Sequence, residues 1–350
     1  MGASVAWHLT ELGITDVVLI ERDVLGAGST SRSAGGIRAQ FADELNVRIA
    51  LRSLDEFTHF GERFGIEIDF RQWGYLFLLD REDDVVAFRR ALELQNRLGV
   101  PSRELSVDEA LALVPQLEPE GLLAATFCPW DGYASPEAVV QGYARAAAER
   151  GVRVRQGSAV TGIDVRAGRI AGVQTTSGAI VTGTVVCAAG AWSSEVAALA
   201  GVELPVRGEP RWMWFTPQDG GLPPELPLTI DFSTSFYFHR EGPGLLFGGK
   251  EAALEEVAEH AARRLPALVE LPIQSSWWGY YEVSPDHNAL VGETTVPFRF
   301  LYATGFSGHG FQQAPAVGEH VAELVAGAAP TLDLSAFAVE RDERPETFVV

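Results

Sequence analysis

The hydrophobic pattern changes period within the first twenty residues. Val5, Leu9 and Leu12 recur at helical spacing, and Gly13 is a natural helix stop. Val17, Val18, Leu19 and Ile20 then form a short apolar run ending at Glu21. The run predicts a strand buried on both faces. Further on, Leu45, Ile49, Leu54 and Phe57 mark one long helix over 43–63. Residues 66–80 read as two short strands broken near Trp73-Gly74, 83–98 as a helix, and 107–114 as a helix stopped by Pro115. A strand over 122–127 meets the turn Trp130-Asp131-Gly132, and Pro136 opens a helix that ends before Gly151. From 152 to 186 the period becomes two, which predicts four strands. The last of them, in VVCAAGAW, runs into a helix near 192–200. Residues 206–250 are mostly strands, 251–265 helical, and 275–283 an aromatic-rich strand. A final apolar strand, 300–304, enters GFSGHGFQQAP, and a closing helix covers 314–326.

Strand–helix units therefore lie at both ends and in the middle, with antiparallel β structure between them. The order predicts a mixed α/β fold: a discontinuous, Rossmann-like nucleotide-binding domain with a mainly antiparallel β domain inserted. The expected divisions are 1–65, 135–205 and 284–350 for the first, and 66–134 and 206–283 for the second.

Composition narrows the function. The formal net charge is −20, which argues against nucleic acid and anionic membrane surfaces. No run of 18 apolar residues suggests a membrane span, and no signal-peptide pattern is visible. Cys128 and Cys187 make neither a disulfide framework nor a metal set, so a reducing cytoplasm is the expected setting and no metal is expected. Lys250 is the only lysine, so any lysine chemistry falls to it.

Glu21 stands where a dinucleotide-binding unit places its ribose acid, about 20 residues past the glycine turn. Gly2 matches the last glycine of G-x-G-x-x-G, and the preceding strand and glycines have no counterpart in the sequence. A late start is the expectation, with Val17–Ile20 lacking a neighbour on one side. Residues 25–41, LGAGSTSRSAGGIRAQF, form a polar, glycine-rich loop that can turn amides and hydroxyls toward phosphates.

Five stretches in one order carry a resemblance: Gly2 to Asp23, GSTSRSAGGIRAQF, VVCAAGAW, WGYYEVSPDHNALVG and GFSGHGFQQAP. Together they resemble the FAD-dependent amine and amino-acid oxidoreductases related to D-amino acid oxidase, glycine oxidase and sarcosine oxidase. The resemblance implies oxidation of a C–N bond by hydride transfer to flavin N5. The implied substrate is a small amino acid or N-alkyl amino acid, and the acceptor is oxygen or another carrier. It places Gly2, Glu21, Arg22, Ser29, Thr30 and Ser31 on the adenosine and pyrophosphate side, with Val160 at the adenine. Ala34, Gly35 and Gly36 would pass near the isoalloxazine. Ala188, Ala189, Gly190 and Trp192 would form a second turn on the cofactor. Gly305, Ser307, Gly308, His309, Gly310 and Phe311 would bring a positive helix end to the flavin pyrimidine edge.

Gly279 stands where sarcosine oxidases carry a flavin-linking cysteine, and Arg32 where dimethylglycine-type dehydrogenases carry a linking histidine, so dissociable FAD is implied. Arg38 matches a carboxylate-binding arginine, and Gln312 replaces a second, lysine clamp. Lys250 lies four residues past the position of an oxygen-reducing lysine, and His309 is placed to bond flavin or substrate. Tyr237, His239, Trp278 and Tyr281 are candidates for pocket walls, whereas Asp286-His287 reads as cofactor-domain structure. A nicotinamide-dependent dehydrogenase and an inactive or FAD-deficient homologue are the rival readings.

Overall fold

The computed structural model describes residues 1–349. Helix Gly2–Glu11 starts with no side-chain cap and buries every residue from Ala3 to Thr10. Gly13, at φ 77°, reverses the chain into strand Val18–Ile20. That strand pairs in parallel with Arg153–Arg155, Leu19 opposite Val154, and with no other strand among the described residues. A second parallel pair joins Val185–Cys187 to Phe300–Thr304, whose other edge takes Leu290–Glu293 antiparallel. Gly2 lies between the two sheets: a Cβ there would sit 3.4 Å from Leu19 Cδ1 and 3.7 Å from the Ala188 methyl.

Helix Gly310–Ala326 packs against Gly2–Glu11 at closest approach where Gly318 meets Ser4. Ser4 Oγ donates to the Ala314 carbonyl at 2.7 Å.

The largest sheet has eight strands, in the order Ser275–Val283, Arg207–Thr216, Gly244–Gly248, Phe236–Glu241, Leu228–Asp231, Tyr75–Leu79, Ala124–Cys128 and Arg103–Leu105. Only the junction of Leu228–Asp231 with Tyr75–Leu79 is parallel; there the strands from 75–128 meet those from 207–283. The neighbouring strands Tyr75–Leu79 and Ala124–Cys128 are buried along their whole length. A separate antiparallel sheet takes Val160–Arg166, Arg169–Thr175 and Gly178–Ile180.

Several elements differ from the sequence reading. Val17–Ile20 is half-buried rather than buried on both faces, since Val18–Ile20 pairs along one edge only. The long helix over 43–63 is two helices, Glu44–Thr58 and Phe60–Phe64, separated at His59, whose backbone leaves the helical region. Residues 66–80 hold one strand, preceded by a single bridge from Arg71 to Tyr133. The last of the four strands over 152–186 splits into Gly178–Ile180 and Val185–Cys187, which join different sheets. The closing helix begins four residues early, at Gly310, because Ser307 (φ 50°) and Gly308 (φ 97°) complete the turn before it. No helix among the described residues is long and apolar enough to cross a membrane.

Candidate cofactor and substrate site

Three parallel strand ends and two uncapped helix starts converge on one edge of the molecule. Val18–Ile20 ends at Glu21, Val185–Cys187 at the turn Ala188–Gly190, and Phe300–Thr304 at Gly305. Neither Gly2–Glu11 nor Gly310–Ala326 has a side-chain cap at its N-terminus. Free amides and the helix dipole thus make both starts receptive to negative charge. The carboxyl ends of parallel strands are where open α/β sheets bind nucleotides.

The rim of this edge is half-buried. Glu21 accepts from Asp23 N at 2.9 Å with one oxygen, and its carbonyl takes Ser158 N at 2.9 Å, two residues before Val160. Arg22 stacks its guanidinium 3.8 Å from the Trp192 ring centroid. Trp192 meets Tyr280 edge-on at 5.6 Å, and Ser29 Oγ donates to the Tyr280 carbonyl at 2.7 Å. Ser31 N bonds the Gly26 carbonyl, and Thr30 to Arg32 form a single 3-10 turn. Gly35, at φ 68°, packs its α-carbon so closely on the Ala134 carbonyl that a side chain would overlap it. A Cβ on Gly36 would lie 2.7 Å from the Tyr75 hydroxyl, so residues 34–36 cross directly over the large sheet. Gly308 has the same relation to Tyr281, at 2.5 Å.

Below that loop lies Arg38, only 2 % exposed. Its Nη1 donates to the Gln40 carbonyl, and its Nη2 donates to the Phe348 carbonyl at 2.6 Å and to His309 Nε2 at 3.0 Å. The guanidinium lies 4.1 Å from the Phe41 centroid and 5.5 Å from Phe77. No carboxylate among the described residues pairs with it. Burial lowers its pKa, offset in part by Tyr75, Glu346, Asp131 and Tyr281. His309 is held well below its ordinary pKa by burial, by Arg38 and by His287, so the ring is neutral and accepts from Arg38. Burial also raises the phenols of Tyr75, Tyr237 and Tyr281, which stay protonated donors.

The FAD dependent oxidoreductase (DAO) family model matches residues 1–324. The chain belongs to this FAD-dependent oxidoreductase family. A crystal structure of L-proline dehydrogenase from P. horikoshii is similar with TM-score 0.89 at 34% identity, covering 96% of this chain and 93% of that one. FAD-dependent oxidoreductase domain-containing protein 1 of Bos taurus is 32% identical, covering 97% of this chain and 82% of its own length. Sarcosine oxidase subunit beta of Rhizobium meliloti (strain 1021) is 29% identical, covering 98% and 86% respectively.

The residues of this FAD-dependent oxidoreductase fit its cofactor. The convergent edge offers a carboxylate (Glu21), hydroxyl-bearing turns and two dipole-positive helix starts. The FAD family also displaces the nicotinamide reading.

The expected site residues do not all meet. Glu21, Arg22, Ser29–Ser31, Val160 and Ala188–Trp192 share the strand-end rim, while Arg38 and His309 meet beneath the glycine loop. Lys250 does not join them: it is exposed past the end of strand Gly244–Gly248, on the turn toward helix Leu254–Arg264. The catalytic role expected of it finds no geometric support. His309 gives its Nε2 to Arg38, which leaves the other ring nitrogen for flavin or substrate. Ser29 likewise spends its hydroxyl on Tyr280. Asp286 is structural, holding Arg341 through both oxygens at 2.6 and 2.9 Å.

Sequence reasoning missed Gln40 and Asp131. Asp131, fully buried, accepts from Ala39 N at 2.8 Å and from Gln40 Nε2 at 3.2 Å, and so fixes the chain just after Arg38. Burial pushes its carboxyl up to about 7 despite those bonds. Its only sequence signal was an acid in a Trp-Asp-Gly turn, which also fits an ordinary surface turn.

Proposed function

We propose that this chain oxidises the C–N bond of a small amino acid or N-alkyl amino acid, sarcosine-, glycine- or proline-like, using FAD held without a covalent link. The names of the similar proteins, a proline dehydrogenase and a sarcosine oxidase subunit, point to the same substrate class. The observation that carries the reading is Arg38: a buried guanidinium whose partners are carbonyl dipoles and a neutral imidazole. They fix its plane, and no carboxylate among the described residues touches its charge, which is costly unless an anion arrives. A substrate carboxylate is such an anion, and Tyr75 and Tyr281 stand by as neutral phenol donors. FAD, held by the strand-end rim, would supply the two-electron acceptor for oxidation of the C–N bond to an imine, which water hydrolyses. The protein's part is to hold the substrate by its carboxylate and to exclude water around the charge pair.

Dissociable FAD is supported by the contact of Gly279 with Arg32. A Cβ on Gly279 would lie 2.8 Å from Arg32 Cβ, so the two positions at which relatives anchor flavin are adjacent and carry neither thiol nor imidazole. Acid precipitation should release all the flavin into the supernatant.

The test is Arg38→Met. Loss of a charge-assisted pair in a dry site is worth about 2–5 kcal/mol, roughly 30-fold to a few thousand-fold in kcat/KM. Flavin content should stay intact. A variant that loses FAD assigns Arg38 to the cofactor, and unchanged kinetics on amino acids remove it from the site. A wild-type protein that takes up no FAD makes the chain the FAD-deficient homologue. Turnover with oxygen against turnover with a redox dye identifies the acceptor.

A further inference from the structure

Glu282 is a second buried carboxyl that nothing above assigns. It belongs to strand Ser275–Val283 of the large sheet, yet its side chain leaves that sheet for the strand-end rim. Oε2 accepts from Thr304 Oγ1 at 2.8 Å. The same oxygen lies 3.7 Å from where a Cβ on Gly190 would sit, and Oε1 3.4 Å from the corresponding point on Gly310. The carboxyl therefore stands between the Gly190 turn, the end of strand Phe300–Thr304 and the start of helix Gly310–Ala326. It is the only acid at the meeting of these three elements among the described residues. The Ser307 N to Glu282 carbonyl bond, 2.9 Å, locks its backbone to the GFSGHGF turn.

An acid at this place needs a reason. The Thr304 hydroxyl and the amides of Gly305 and Phe306 tie one side of the carboxyl to the turn, and Thr304 also reaches the Gly190 carbonyl at 3.2 Å. A carboxylate beside the helix start offsets the positive potential that would otherwise favour anions there. What it adds is an acceptor, Oε1, facing the space between the glycine turns. Phosphates and flavin carbonyls bring acceptors only, whereas the polyol chain linking the flavin ring to the phosphates brings hydroxyl donors.

We propose that Glu282 binds the cofactor through the hydroxyls of the FAD ribityl chain and places a titratable charge beside the flavin. The proposal rests on the FAD reading above. Burial pushes the carboxyl up to about 7, against bonds from Thr304 and the Gly305 and Phe306 amides. The titratable groups facing it are the Met1 amine and the Cys187 thiol.

The test compares wild type with Glu282→Gln and Glu282→Ala, measuring FAD affinity by flavin fluorescence on titration and the midpoint potential of the bound flavin from pH 5.5 to 8.5. Glutamine keeps an acceptor for Thr304 and turns an NH2 to the other side, to which a hydroxyl oxygen can still accept, so FAD binding should weaken by roughly threefold or less, and by about tenfold or more with alanine. The Glu282→Gln flavin should be easier to reduce above pH 7 and match wild type below it, because only the ionised acid opposes electron uptake. A purely structural role would leave the potential and its pH profile unmoved. Wild-type affinity and potential in both variants overturn the proposal, whereas wild-type protein that takes up no FAD removes the cofactor reading beneath it.

Discussion

Two arginines are buried in this chain, and their surroundings differ in one respect. Arg264, fully buried at the end of helix Leu254–Arg264, donates from Nε to Asp231 Oδ2 at 2.8 Å, and from Nη1 to the carbonyls of Glu118 and Glu120. Asp231 is as buried as its partner, at the end of a strand in the middle of the large sheet. The pair is a strut between helix, sheet and the 118–120 turn. Arg38 is as deeply buried and as well hydrogen-bonded, but it has no counter-charge among the described residues. Each guanidinium is held by several hydrogen bonds, though Arg264 leaves its Nη2 without a partner, and only Arg264 has its charge paired. Hydrogen-bond counts alone would rank the two sites alike; charge balance separates a structural pair from a site that awaits an anion.

The largest expected effect is on the strut. Asp231→Ala leaves Arg264 buried and uncompensated, and should lower unfolding free energy by about 3–5 kcal/mol in denaturant melts. The folded fraction should keep its kcat/KM. If Asp231→Ala costs no more stability than Arg38→Met, the contrast between the two arginines collapses.

Glu56 sharpens the comparison from the side of the acid. It is buried, yet its pKa falls to about 2: burial raises it, and His8, Tyr143 and Arg63 more than offset that. Tyr143 donates to it at 2.5 Å and Arg63 at 2.8 Å. A pKa below the unfolded value gives stability that is full above about pH 4.5 and is lost as pH falls toward 2. The loss is about 3 kcal/mol. Acid melts of wild type against Glu56→Gln should show that slope in the wild type only.

A smaller effect, about 2.7 kcal/mol at a hundredfold excess over Kd, is expected when a non-reactive carboxylate analogue of the substrate binds Arg38. Thermal melts should rise with the analogue in wild type and in Asp231→Ala, and stay flat in Arg38→Met. Smallest is His309→Ala, which removes one acceptor from Arg38. KM should rise roughly two- to twelvefold, about 0.5–1.5 kcal/mol, with FAD retained. An unchanged KM would mean that His309 does not orient the guanidinium.

The elements with strong periodicity were legible in the sequence: helices Gly2–Glu11, Glu82–Arg97 and Pro136–Glu149 lie where the apolar spacing and the punctuating residues put them. Arg38 and the rim residues were legible as motif positions. The break at His59 was not, because Leu54, Phe57 and Phe60 keep helical spacing across it. Nor was the split of 178–187, whose strands are too short to show which sheet each joins. Lys250 misled because a position along a strand says nothing of what lies opposite its end.

What the sequence by itself determined is the local and the one-dimensional: period, turns and the order of βα units. Only the tertiary structure decided which charges find partners. Arg38 and Arg264 look alike in the chain, each an arginine beside apolar residues. One meets Asp231 across 33 positions, while the other meets carbonyls of Gln40 and Phe348 and the ring of His309, 271 positions away. Charge compensation falls off over a few ångströms of folded space, and separation along the chain carries no information about it.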